Sequence, residues 1–117
     1  MNLGKVSSAV LMLSGIAGVL TPRGVGQALE LTAPSARGTA EIRAGLGGTY
    51  AALGGWSLAS REPAADLAVG ATWLGAAAVR TAALLVDRPR TTWSYWAYLA
   101  LEVGMGTASL RAARAAR

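Results

Sequence analysis

The residues able to do chemistry in this 117-residue chain are few, and they stand in unusual company. Arg43, Tyr50, Arg80 and Glu102 fall inside long apolar runs, and Glu41 and Asp87 sit near the ends of two of those runs. An ionisable group at the middle of a hydrocarbon layer costs about 2.5–3.5 kcal/mol or more, so such groups turn inward and find partners. Arg43, Gly47 and Tyr50 are four and three apart, which places them on one helical face. At ~1.5 Å of rise per residue, Arg80 lies about 10 Å below Asp87 and Glu102 about 16 Å below Thr91. The remaining ~6 Å is within the reach of an arginine, and Tyr50 lies ~13 Å from Glu41 by the same rise. One polar cluster of Arg43, Tyr50, Arg80 and Glu102, opening toward Glu41 and Asp87, is therefore expected. It has two readings. The charges neutralise one another and fix the register of three helices, or they form a ligand or proton site. In the second reading Glu102, kept protonated by low dielectric, is the general acid. Arg80 is then its modulator or an anion anchor, and Asp87 or Glu41 the rim carboxylate.

Most other chemistries are closed by composition. There is no Cys and no His, so no disulfide, thiolate or imidazole is at hand, and neither a metal nor a cofactor is expected. Serines are present without a histidine base, and nothing matches G-x-S-x-G.

The elements that must hold the cluster are legible from hydropathy. Hydrophobic residues make up 53% of the chain and charged ones 15%, against about 25% charged in soluble domains. A bilayer core of ~30 Å needs about 20 helical residues. Four stretches approach that length: 3–20, 41–60, 64–86 and 91–110. Arg61-Glu62-Pro63 and Asp87-Arg88-Pro89-Arg90 mark hairpin turns, because the residue before a proline is biased out of the helix. A soluble bundle would show a polar stripe at a 3.6-residue period on each helix, and none of the four does. The expectation is an all-α fold: one integral membrane domain over 1–117, built as a four-transmembrane-helix bundle. A cleaved signal peptide is the alternative for the first segment, but no small-x-small site follows it, only Thr21-Pro22-Arg23-Gly24. Residues 21–40 are too long for a tight turn, and a short interfacial helix or an extension of the first segment is expected there.

Trp93, Tyr95, Trp96 and Tyr98 crowd the start of the fourth segment, where amphipathic rings anchor at the headgroup level. Helices in lipid associate through small residues. The five glycines of segment two (Gly45, Gly47, Gly48, Gly54, Gly55) therefore predict tight packing against neighbouring helices, the default, or against a ligand. Basic residues near the ends divide five to four in favour of the side carrying both termini, which predicts cytoplasmic termini in the inner membrane.

The stretch from Glu41 to Tyr50 resembles the R-x-x-G-G-x-Y signature of a bacterial family of small four-helix membrane proteins catalogued as a domain of unknown function. That family also tends to have an arginine in helix three, a D-x-x-P or D-G-x-P turn and an acid in helix four. Arg80, Asp87 with Pro89 (a departure in spacing) and Glu102 would be their counterparts. The resemblance spans roughly residues 1–110. It implies a four-helix fold and no particular mechanism.

Three functions compete. One is a non-enzymatic membrane component, either an accessory subunit of a membrane protein partner or a binder of a small hydrophobic, lipid-like molecule. The second is a membrane-embedded isomerase or cyclase using Glu102. The third is a small proton-coupled transporter, disfavoured because the first segment holds no acid. Nucleic acid is not expected as a partner despite a pI near 10.8. The one clustered basic stretch, RAARAAR, adjoins an apolar run and suits anionic headgroups.

Overall fold

The computed structural model describes residues 2–116. It is all-helical, with no strand among the described residues. The elements are α1 (Leu3–Leu20), α2 (Pro22–Ala28), α3 (Ala36–Ile42), a π-helical turn (Arg43–Gly48), α4 (Thr49–Ala59), α5 (Pro63–Val86) and α6 (Trp93–Ala115). Helical residues run without a break from Ala36 through Ala59. The second segment thus starts earlier than the expected 41, because Ser35 caps it by accepting the Gly38 amide at 3.1 Å.

The other boundaries follow local chemistry too. The Asn2 side chain accepts the Lys5 amide at 2.9 Å and opens α1. Pro22 ends α1 and occupies the first turn of α2, where its missing N–H costs nothing. The chain then turns through Glu30, at φ 55°, and the Leu31 amide donates to the Gly26 carbonyl. A Cβ on Gly26 would lie 2.5 Å from the Leu31 carbonyl oxygen, so this return needs glycine. Residues 21–40 therefore hold the expected short helix, but at 22–28. Pro63 opens α5, and Arg88 at φ 47° helps turn the chain toward α6. α6 runs to Ala115 rather than stopping at 110, since Ala and Arg are both strong helix formers.

Two helices, α1 and α5, are long and apolar enough to cross a membrane, with mean hydropathies of 1.7 and 1.5. Four were expected. The run over 36–59 is interrupted by the π turn, and α6 is diluted by its polar-tipped aromatic rings and by Glu102.

The chain divides into two compact units: the first residues through Ser7 together with everything from Arg61 onward, and Ser8–Ser60. In the first unit α5 and α6 form an antiparallel hairpin with glycines at the contact. A Cβ on Gly106 would lie 2.6 Å from Leu74 Cγ, and one on Gly70 would lie 3.0 Å from Leu110 Cδ2. The first turns of α1 join α6 here. Ser109 Oγ donates to Ser7 Oγ at 2.7 Å, and Ser7 Oγ donates to the Met105 carbonyl at 3.0 Å.

In the second unit the rest of α1 runs antiparallel to the π turn and α4. A Cβ on Gly15 would lie 2.2 Å from the Ala51 amide nitrogen, and one on Gly54 would lie 2.5 Å from the Met12 nitrogen. Gly18 and Gly47 abut likewise, and Ser8 and Ser57 share a hydrogen bond of 2.7 Å. Of the five glycines in segment two, Gly47 and Gly54 make the close packing. A Cβ on Gly45 would meet nothing within 4 Å.

Small polar side chains are buried while several large apolar ones are exposed. Ser7, Ser8, Ser57 and Ser109 are fully buried, while Leu85 is 82% exposed and Val79 and Leu20 are each 70% exposed. Among the described residues, Leu11 and Val69 are the larger apolar side chains that are fully enclosed.

Candidate functional site

α5 carries Arg80 in its last third, and α6 presents Tyr95, Tyr98 and Glu102 at i, i+3 and i+7, one face of that helix. The antiparallel hairpin brings these together. Arg80 Nε donates to Glu102 Oε1 at 2.8 Å and Nη2 donates to Oε2 at 3.0 Å, a bidentate fork.

The guanidinium carbon stands 5.2 Å from the Tyr95 ring centroid and 5.7 Å from that of Tyr98. Both distances lie within the ~6 Å over which a ring face attracts a cation. Tyr95 Oη also donates to the Arg80 backbone carbonyl at 2.7 Å. Trp96 packs edge-on to Tyr95, and Trp93 is exposed. Glu102 is buried, with Arg80 partly so.

Chemically this arrangement is closed. Both carboxylate oxygens of Glu102 are engaged by one guanidinium, and the cation is flanked by two rings. The geometry ties α5 to α6 and leaves Glu102 poorly placed to hand a proton to anything else.

The other expected site residues lie elsewhere. Arg43 and Tyr50 belong to the Ser8–Ser60 unit. Arg43 Nη1 donates to the Val19 carbonyl, one of the last carbonyls of α1 that the helix itself leaves unused. A cation suits a helix C-terminus. The π turn places Arg43 there, and its widened ladder also lets Thr49 Oγ1 donate to the Ala44 carbonyl at 3.1 Å. Tyr50 is half-buried on α4. Glu41 is exposed and paired with Arg37 at 3.2 Å, an ordinary surface i, i+4 contact. Asp87 is exposed at the C-terminal cap of α5. The four-residue cluster with two rim acids thus reduces, within one unit, to Arg80, Glu102 and two tyrosines.

Tyr95 and Tyr98 were expected as interfacial anchors. Their spacing, seven and four residues before Glu102, is the signal that they share its face. A second charged pair, Lys5 Nζ to Asp66 Oδ1 at 3.7 Å, joins the start of α1 to the first turn of α5. Its only sequence trace is an acid where the helix dipole favours one. The Trp73 indole nitrogen is buried without a hydrogen-bond partner.

No group of three or more acidic residues that could hold a metal ion occurs among the described residues. Arg43 precedes Gly47-Gly48 by three intervening residues, one more than the signature it resembles. No family model, curated protein or solved structure matches the chain.

Proposed function

We propose that this chain is a multi-pass membrane protein crossing the inner membrane four times, through α1, the helix over 36–59, α5 and α6, with both termini cytoplasmic. Its role in this reading is non-catalytic: an accessory component whose outer apolar face meets lipid, a small hydrophobic molecule or the helices of a membrane partner. The resemblance to the small four-helix family belongs to the same proposal.

The observation that carries the reading is this burial of serines beneath exposed leucines and valines. Fully buried serines and close glycine contacts, with leucines and valines facing outward, would be costly in water. In hydrocarbon the same arrangement is favourable, since lipid solvates leucine while close packing and interhelical hydrogen bonds hold helices together. The engaged oxygens of Glu102 weigh against the isomerase or cyclase reading.

The natural absence of cysteine makes the test clean. Single cysteines at Ala33, Glu62 and Arg90 are labelled in intact cells with a membrane-impermeant maleimide. Four crossings predict that Ala33→Cys and Arg90→Cys react from outside, while Glu62→Cys reacts only after lysis. Release of the wild-type chain from membranes by alkaline carbonate would overturn the proposal outright.

A further inference from the structure

Apolar run length alone ends the last helix at 110 and leaves RAARAAR as a tail. The structure continues α6 through Ala115, and that changes what the basic residues can do. At ~1.5 Å per residue the 23 residues of α6 span about 35 Å, longer than the ~30 Å hydrocarbon layer. Its last turns therefore stand at headgroup depth under the membrane reading, on which this inference rests.

There the first turn of α1 and the end of α6 enclose an open groove of about 450 Å³, bounded by Asn2, Leu3, Ala108, Arg111, Ala112 and Ala115. Ala108, Ala112 and Ala115 are four and three apart, so they form one apolar wall. Gly4 sets the groove's depth: a Cβ there would lie 2.4 Å from Ala112 Cβ. Arg111 stands at the groove's edge with Arg114 one turn on. Both are exposed, and neither pairs with a carboxylate among the described residues. The nearest buried acid at this end, Asp66, is already held by Lys5.

We propose that this groove binds an anionic phospholipid. Arg111 takes the headgroup phosphate, and the start of an acyl chain lies along the alanine wall. Charge complementarity selects the occupant. A guanidinium matches phosphate geometry with two donors, and an unpaired arginine beside an apolar wall suits a molecule that is anionic at one end and hydrocarbon at the other.

The test is retention of phosphatidylglycerol against phosphatidylcholine of matched chains, measured by native mass spectrometry on protein purified in mild detergent. The wild type is expected to retain phosphatidylglycerol preferentially. Arg111→Gln should lower that retention roughly fivefold, the effect of one basic residue at an anionic surface. Ala115→Leu, which fills the groove without altering charge, should lower it as well. Arg90→Gln, a charge-matched change at the opposite end of the α5–α6 hairpin, should leave it unchanged. Equal loss from Arg90→Gln and Arg111→Gln would reduce the effect to net charge and overturn the site, as would full retention in Ala115→Leu. Carbonate extraction separates the two levels of failure. A chain that stays in the membrane but shows no lipid preference defeats this inference alone, and a chain released from the membrane defeats both.

Discussion

Arg80 and Glu102 face each other across the α5–α6 hairpin through two parallel hydrogen bonds of 2.8 and 3.0 Å. Lys5 and Asp66 are looser, at 3.7 Å. The fork fixes both the separation and the register of the two helices, because shifting either by one residue would swing its partner off the shared face.

Breaking one side of that pair should be far worse than removing both. Arg80→Leu or Glu102→Leu alone is expected to cost about 3–5 kcal/mol, since each leaves a charge unpaired, while the double substitution should be nearly neutral. Thermal unfolding in detergent reads all three. A double variant as unstable as either single one would show that the charges do not act as a pair.

The aromatic flank makes a smaller contribution, and the two rings should differ in kind. Tyr95→Phe keeps the ring and loses the hydrogen bond to the Arg80 carbonyl, an expected cost of about 1 kcal/mol. Tyr98→Leu loses only the ring over the guanidinium, about 0.5–2 kcal/mol. In an Arg80→Leu background the Tyr98→Leu penalty should vanish while that of Tyr95→Phe persists, because the carbonyl remains. Unfolding midpoints across this double-mutant cycle decide it.

Glycine-to-alanine changes should divide by sign. At Gly15 and Gly47 the new Cβ would meet backbone atoms at 2.2 and 2.7 Å, and backbone cannot swing aside as a side-chain tip can. Loss of stability of about 1–3 kcal/mol or more is expected there. At Gly45, Gly75 and Gly104 nothing lies within 4 Å. The same substitution should there stabilise by up to about 1 kcal/mol, through helix propensity. Melting temperatures of the five variants test the division, and a uniform response would refute it.

Ser109→Ala removes the donor to Ser7 while Ser7 keeps its bond to the Met105 carbonyl. The expected loss is about 0.5–1.5 kcal/mol, the net contribution of one hydrogen bond. Ser7→Ala should cost more, since it ends one bond and orphans the Ser109 hydroxyl. Equal unfolding midpoints for the two variants would contradict this ordering.

Sequence alone determined the all-helical character and the hairpin turns, and it put Arg80 within an arginine's reach of Glu102. Each depends on local information: apolar run length, proline punctuation, and a rise per residue that every α-helix shares. Tyr95 and Tyr98 read as headgroup anchors by the same local logic, because nothing in the sequence says what the helical face they share with Glu102 meets.

Tertiary structure decided the partners. Arg43 and Arg80 look alike in sequence, each a lone cation in an apolar run, yet one binds a carboxylate and the other the free carbonyl end of α1. Gly45 and Gly47 are two residues apart, and only Gly47 sits at a helix contact. Such choices follow from how helices rotate and cross. A Gly- and Ala-rich sequence leaves rotation almost unmarked, because its faces differ little in size or polarity until a neighbour is in place.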